Sequence, residues 1–255
     1  MKESEGLFIP LSLTPGVGAI HLRSLRGADE MAITDTDTKT LINLLESLIQ
    51  PSPTGDKVHA SQIVTADRDR LLAALYISMY GPKIESTVNC KACDQKFDLD
   101  FRLDKLLQHY QPPAETLPMD GKYEIEPDIC FRLPNGEDEL LIDGLSAAEA
   151  VKQLFERCLL KGDVEADSEK VQLKMAELAP VLSMNMQAIC PECNHNQEVQ
   201  FDMQSFLLTK LKQERPSLVK EIHYIASQYH WSHQEILNLS RNSRKQYAAL
   251  IQLES

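Results

Sequence analysis

Positive charge is scarce in this 255-residue chain: 26 Lys and Arg stand against 38 Asp and Glu, a formal net charge of −12. Such a field repels a phosphate backbone unless bases are segregated into a strong stripe. The basic candidates are Lys210, Lys212, Arg215 and Lys220, then Arg241, Arg244 and Lys245. They are interleaved with Glu214, Glu221 and Glu235 and are expected to form a solvated helix face, so nucleic acid is not an expected partner. Long apolar runs are also missing. None approaches the roughly 20 residues a bilayer crossing requires, and no membrane span is expected. The opening residues, Met1-Lys2-Glu3-Ser4-Glu5-Gly6, carry acids and lack the apolar stretch of a secretory signal, which makes the cytoplasm the expected compartment.

Catalytic patterns are absent as well. No G-x-S-x-G, H-E-x-x-H, P-loop or Rossmann glycine motif occurs, and Gly16-Val17-Gly18 lacks the third glycine. The H-x-E triplet His233-Gln234-Glu235 comes last in the chain, whereas a deaminase-like zinc site needs it before its cysteines. The expectation is a protein that is not an enzyme and has no small-molecule substrate.

What is present is an ordinary globular composition, 43% apolar and 25% charged, able to build a core without disulfides. Residues 1–34 mix short apolar patches with proline and glycine and read as a loop-rich arm. Residues 35–83 read as helical. Leu41, Leu44, Leu45 and Leu48 share one stripe of a first helix, which Pro51-Ser52-Pro53-Thr54-Gly55 ends. Leu71, Leu72, Leu75 and Met79 share a stripe of a second, with Asp67 and Asp69 near its positive end. Residues 108–184 read as a mixed α/β insertion, with a capping box at Ser146–Glu149. Residues 208–255 read as helices. There Ser232 and Glu235 form a second capping box, and Trp231, the only tryptophan, stands at a staple position.

Six cysteines in a cytosolic-looking chain point to metal ligands or buried apolar residues. Cys130 and Cys158 stand alone at apolar positions and read as core. The other four form two C-x-x-C pairs inside an internal repeat. Moving Thr87–Leu107 forward by 100 positions superposes it without a gap on Gln187–Leu207, so that Cys90 and Cys93 meet Cys190 and Cys193. Leu99, Phe101 and Leu103 then meet Val199, Phe201 and Met203, so each copy reads as a thiol turn followed by an alternating strand. Residues 84–107 and 185–207 are therefore two knuckles, and together they offer the closed four-thiolate set that structural zinc prefers. That set leaves no open position for a reactive water, and His195 is not needed as a ligand. The expected fold is α+β, mostly helical, with a zinc ribbon made of knuckles about 100 residues apart. A zinc-ribbon adaptor or a C-x-x-C redox switch are the alternatives.

The chain also resembles a known family. The residues that carry the resemblance begin with Asp67-Arg68-Asp69-Arg70-Leu71-Leu72 and Tyr80-Gly81-Pro82, and continue through Phe131-Arg132-Leu133-Pro134 and both knuckles. Arg157-Cys158-Leu159, Phe201-Asp202, Glu221-Ile222-His223-Tyr224-Ile225-Ala226, Tyr229-His230-Trp231-Ser232 and Glu235-Ile236-Leu237 extend it and Arg244-Lys245-Gln246-Tyr247 closes it, giving a resemblance over about residues 60–255. It is similar to the T-even-type baseplate hub assembly chaperones of contractile phage tails and phage-tail-like injection particles. The resemblance implies a non-catalytic protein whose partners are baseplate or hub proteins in a bacterial host, with no catalytic residues to carry over. The first knuckle, Cys90-Lys91-Ala92-Cys93, lacks the proline of Cys190-Pro191-Glu192-Cys193.

Overall fold

A computed structural model of the chain describes residues 6–51, 57–113, 118 and 120–254. The opening Met1–Glu5 and the breaker segment 52–55 lie outside them. In chain order the first elements are β1 (Leu7–Pro10), β2 (Ala19–Leu22), α1 (Gly27–Ala32), α2 (Thr38–Leu48) and α3 (Thr65–Tyr80). Then come β3 (Lys83–Asn89), β4 (Lys96–Arg102), α4 (Leu103–His109), β5 (Lys122–Glu126), β6 (Ile129–Arg132) and α5 (Gly136–Ile142). Next are α6 (Ala147–Cys158), β7 (Leu159–Lys161), α7 (Ser168–Leu178), β8 (Ser183–Ile189) and β9 (Asn196–Asp202). The chain closes on α8 (Met203–Gln213), α9 (Arg215–Tyr229), α10 (His233–Asn238) and α11 (Arg241–Glu254). Helix accounts for 50% and strand for 22% of the described residues, a mixed α and β fold. No helix among them is long and apolar enough to cross a membrane. Two compact units divide the chain.

The first unit combines residues 1–10, 19–61 and 204–255. Part of the expected loop-rich arm is ordered here, because β1 and β2 pair antiparallel from Leu7↔Leu22 to Pro10↔Ala19 and bury Ile9, Ile20 and Leu22. In α2 the stripe Leu41, Leu44, Leu45 and Leu48 is buried as its spacing demands, and Asp37 caps the helix by accepting from the Thr40 N–H at 2.7 Å. The C-terminal helices bury Ile225, Ile236 and Ile251 in one cluster, with Trp231 and Tyr247 packed on it. Ser232 and Glu235 form the expected capping box.

Arg241 and Arg244 are not on a solvated face. Arg244 is fully buried. Its Nη2 donates to Glu30 Oε1 at 2.8 Å and its Nε to Glu221 Oε2 at 2.7 Å, while Arg241 pairs with Glu30 at 2.8 Å and with Glu214. Glu30, the carboxylate the two arginines share, is more than 200 residues upstream, and this is why charge interleaving alone suggested solvent. Gly27 makes room for the network, since a Cβ there would lie 3.0 Å from Arg244 Nη1 and 3.2 Å from the Leu237 backbone. Arg244, Ala248 and Ile251 set the inward face of α11, and Leu250 and Leu253 point outward.

The second unit combines residues 11–18 and 62–203. Its α3 is buried on nearly every side, polar residues included: Asp67, Arg68 and Asp69 are as hidden as Leu71, Leu72 and Leu75. Buried charge needs partners; both carboxylates find them, while Arg68 pairs with Glu139 through Nη2 at 2.7 Å and leaves its Nε and Nη1 without a hydrogen bond among the described residues. Asp67 accepts from the N–H groups of Ser12, Leu13 and Thr14 and from the Thr14 hydroxyl, with the last three at 2.8–2.9 Å, and so ties the loop 11–18 to α3. Asp69 accepts from the Leu182 N–H at 2.7 Å. Arg70 donates to the carbonyls of Ala66 and Tyr110 at 2.6 Å. Strands β5, β6 and β7 form an antiparallel sheet over a core that includes Phe131, Phe155, Val171 and Leu178. Cys158 is buried as expected, whereas Cys130 is only partly covered.

Candidate metal centre

The two hairpins β3–β4 and β8–β9 are copies of one another in register as well as in sequence. The first pairs Lys83↔Arg102 through Asn89↔Lys96; the second pairs Ser183↔Asp202 through Ile189↔Asn196. Every partner in the second hairpin is 100 positions beyond its counterpart in the first. The turns repeat as well. Cys90 N–H donates to the Gln95 carbonyl and Asp94 N–H to the Cys90 carbonyl, as Cys190 does to His195 and Asn194 to Cys190. Asp94 and Asn194 both hold φ at 57°, a left-handed conformation that short polar side chains tolerate better than most. At the open ends, Leu103 N–H donates to Pro82 and Met203 N–H to Leu182.

The copies face each other. Phe101 and Phe201 meet edge to face at 5.0 Å, and Phe97, Val88 and Leu99 share an apolar cluster with Ala188 and Val199. At the turns all four thiols converge, with their sulfurs within 4.8 Å of one another. Cys90 Sγ lies 3.5 Å from Cys193 Sγ, and Cys93 Sγ lies 3.8 Å from Cys190 Sγ. Exchanging the hairpins turns one of these pairs into the other, so the cluster has an approximate two-fold arrangement. Cys90 and Cys190 are buried, Cys93 is intermediate and Cys193 exposed. Four sulfurs at about 2.3 Å from a tetrahedral ion would be about 3.8 Å apart, so the donor set fits such an ion with little movement.

The backbone prepares the thiols for ionisation. Although burial opposes it, N–H groups of Ala92 and Cys93 hold the Cys90 thiol down to about 7, and the Ala92 nitrogen is 3.4 Å from the sulfur. The Gln95 N–H pulls Cys93 the same way, but sharing protons with Cys193 and the other thiols, together with burial, pushes it up to about 12. Four thiolates side by side repel, and a cation is what would let them all ionise. His195 enters the turn through its backbone, its carbonyl accepting from the Cys190 N–H and its N–H donating to the Cys193 thiol.

Gln197 is the residue that sequence reasoning missed. Its side chain accepts from the Lys91 N–H at 2.8 Å and donates to the Asn89 carbonyl at 3.0 Å, bridging the two turns. Its signal was visible in the repeat. It aligns with Phe97, so it is the polar member of a pair whose other member is a buried aromatic.

These features define a class first: a mixed α and β protein in which a duplicated hairpin brings four cysteines within metal-binding distance. A family model described as T4 bacteriophage base plate protein matches residues 20–161, more than half of the chain. The chain belongs to the T4-type phage baseplate protein family. The matched region starts earlier than the resemblance read from the sequence, taking in β2 and the first two helices. It contains Cys90 and Cys93 and stops before Cys190 and Cys193. No curated protein and no solved structure matches the chain.

Proposed function

We propose that this chain is a non-catalytic zinc-binding protein of the baseplate hub, acting in the bacterial cytoplasm as an assembly chaperone or as a minor component of a contractile tail or injection particle. The observation that carries the reading is the convergence of Cys90, Cys93, Cys190 and Cys193 from hairpins 100 residues apart within a chain of baseplate family. Zinc held by these four thiolates would close the hairpins into one ribbon and supply folding energy. A closed sulfur set has no vacant position for a reactive water, in keeping with a structural role. Zinc is preferred to a redox cluster because it suits tetrahedral thiolate sites and needs no electron partner.

The test is made in cells producing contractile particles. Removing the chain should leave tails without assembled baseplates in electron micrographs, and Cys90→Ser should reproduce the defect. Mass spectrometry of purified wild-type particles then separates the two roles: a resident component is present in them, and a chaperone is not. Normal particles in the absence of the chain would overturn the proposal.

A further inference from the structure

The two halves of the four-thiol centre differ at one matched pair of positions. Gln197 is buried, 5% exposed, and its amide holds the peptide groups on both sides of Cys90: Oε1 accepts from the Lys91 N–H at 2.8 Å and Nε2 donates to the Asn89 carbonyl at 3.0 Å. The 100-residue offset carries Lys91 onto Pro191 and Phe97 onto Gln197. The second turn therefore has no N–H to offer at this point, because proline lacks one, and the first hairpin brings no acceptor to it, because a phenylalanine ring lacks one. Phe97 is instead buried in the apolar cluster that contains Ala188 and Cys190. Each turn is thus matched by the opposite hairpin: an amide where the backbone can donate, a ring where it cannot.

We propose that Gln197 is a positioning residue of the metal centre, which clamps the peptide groups flanking Cys90 and so fixes the direction of that thiolate toward the ion. This rests on the reading that the four thiols hold a metal. The hairpins β3–β4 and β8–β9 are separate two-stranded sheets with no backbone ladder between them. A side-chain amide offers one acceptor and one donor, so it can engage a peptide N–H and C=O as a neighbouring strand would. Gln197 supplies that link beside the first turn. Partners that orient a metal ligand in this way typically change metal affinity about 10–100-fold when they are removed. The pairing of Phe97 with Pro191 performs the same task for Cys190 by packing, and it accounts for the proline that the first turn lacks.

The test titrates the zinc-loaded full chain against a chelator of known affinity and follows alkylation of each thiol by N-ethylmaleimide with mass spectrometry. Gln197→Met keeps the length of the side chain and removes both hydrogen bonds. It should weaken zinc binding about 10–100-fold and raise the alkylation of Cys90 relative to the other three thiols, a selectivity that general loosening of the ribbon does not produce. Lys91→Pro should also weaken zinc binding, since it removes the N–H. Lys91→Ala, which loses only the Nζ contact to the Glu198 carbonyl at 3.1 Å, should not. Combining Lys91→Pro with Gln197→Phe copies the pairing of the second half into the first and should bind zinc more tightly than either change alone. The Lys91 variants keep the test decisive should Gln197→Met fail to fold. Unchanged affinity in Gln197→Met, equal acceleration at all four thiols, or a double variant no tighter than its single changes would overturn the proposal while the metal centre stands. A wild-type chain that takes up no zinc would instead defeat the reading beneath it.

Discussion

Asp67 and Asp69 sit two residues apart at the start of α3, where the sequence suggests partners for the helix dipole. The structure uses them as buried acceptors for chain segments 53–55 and 113 residues away. No local pattern announces a contact of that range, so the sequence shows where the acids are but not what they hold. Asp67→Ala would strand the buried N–H groups of Leu13 and Thr14, each costing about 1–3 kcal/mol. The expected loss of about 3 kcal/mol or more is read from denaturant unfolding at pH 7. Asp69 makes a pH prediction. Burial pushes its carboxyl from 3.8 up to about 6, against the pull of the Leu182 N–H and Arg68. The folded state therefore holds this proton more tightly than the unfolded chain. The resulting stability is fully present below about pH 4 and is lost as pH rises through about 6. Compared with Asp69→Asn, the wild type should lose up to about 3 kcal/mol between pH 4 and 7. A constant difference across that range would contradict the assignment.

At the scale of elements, the hairpins were the most legible part. Alternation identified β4 and β9, the 100-residue offset identified the duplication, and both survive as identical registers. The helices α2, α3 and α10 follow from their stripes and caps, since those signals are local. The β1–β2 pair was not legible, because two four-residue strands joined through a proline-containing loop give too short a period to register. The burial of Arg241 and Arg244 was hidden for a related reason: Glu30 is more than 200 residues upstream. The approximate two-fold arrangement of the thiols yields a prediction. Cys90→Ser and Cys190→Ser should lower the melting temperature by similar amounts and abolish metal binding equally. Retention of bound metal by one of them would point to two separate sites.

Across the whole molecule, charge is divided as the units are. The first unit holds twelve bases and twelve acids, the second fourteen and twenty-six, so the entire net charge of −12 belongs to the second. Removing residues 229–255 from the first would expose Ile225 and leave Glu30 buried without Arg241 and Arg244. Breaking such a buried cluster costs about 3–5 kcal/mol, and the truncated chain should aggregate or lose cooperative unfolding. A soluble, cooperatively folded truncation would instead assign those helices to an interface. The four-thiol set ties together the account of the second unit, and its most direct test is the zinc content of the purified full chain, read alongside its reactive thiols. The account predicts one zinc per chain, with Cys90, Cys93, Cys190 and Cys193 unreactive until a chelator removes the metal and the fold loosens. A chain that is folded, metal-free after chelator-free purification at neutral pH, and fully reactive at all four thiols would contradict it.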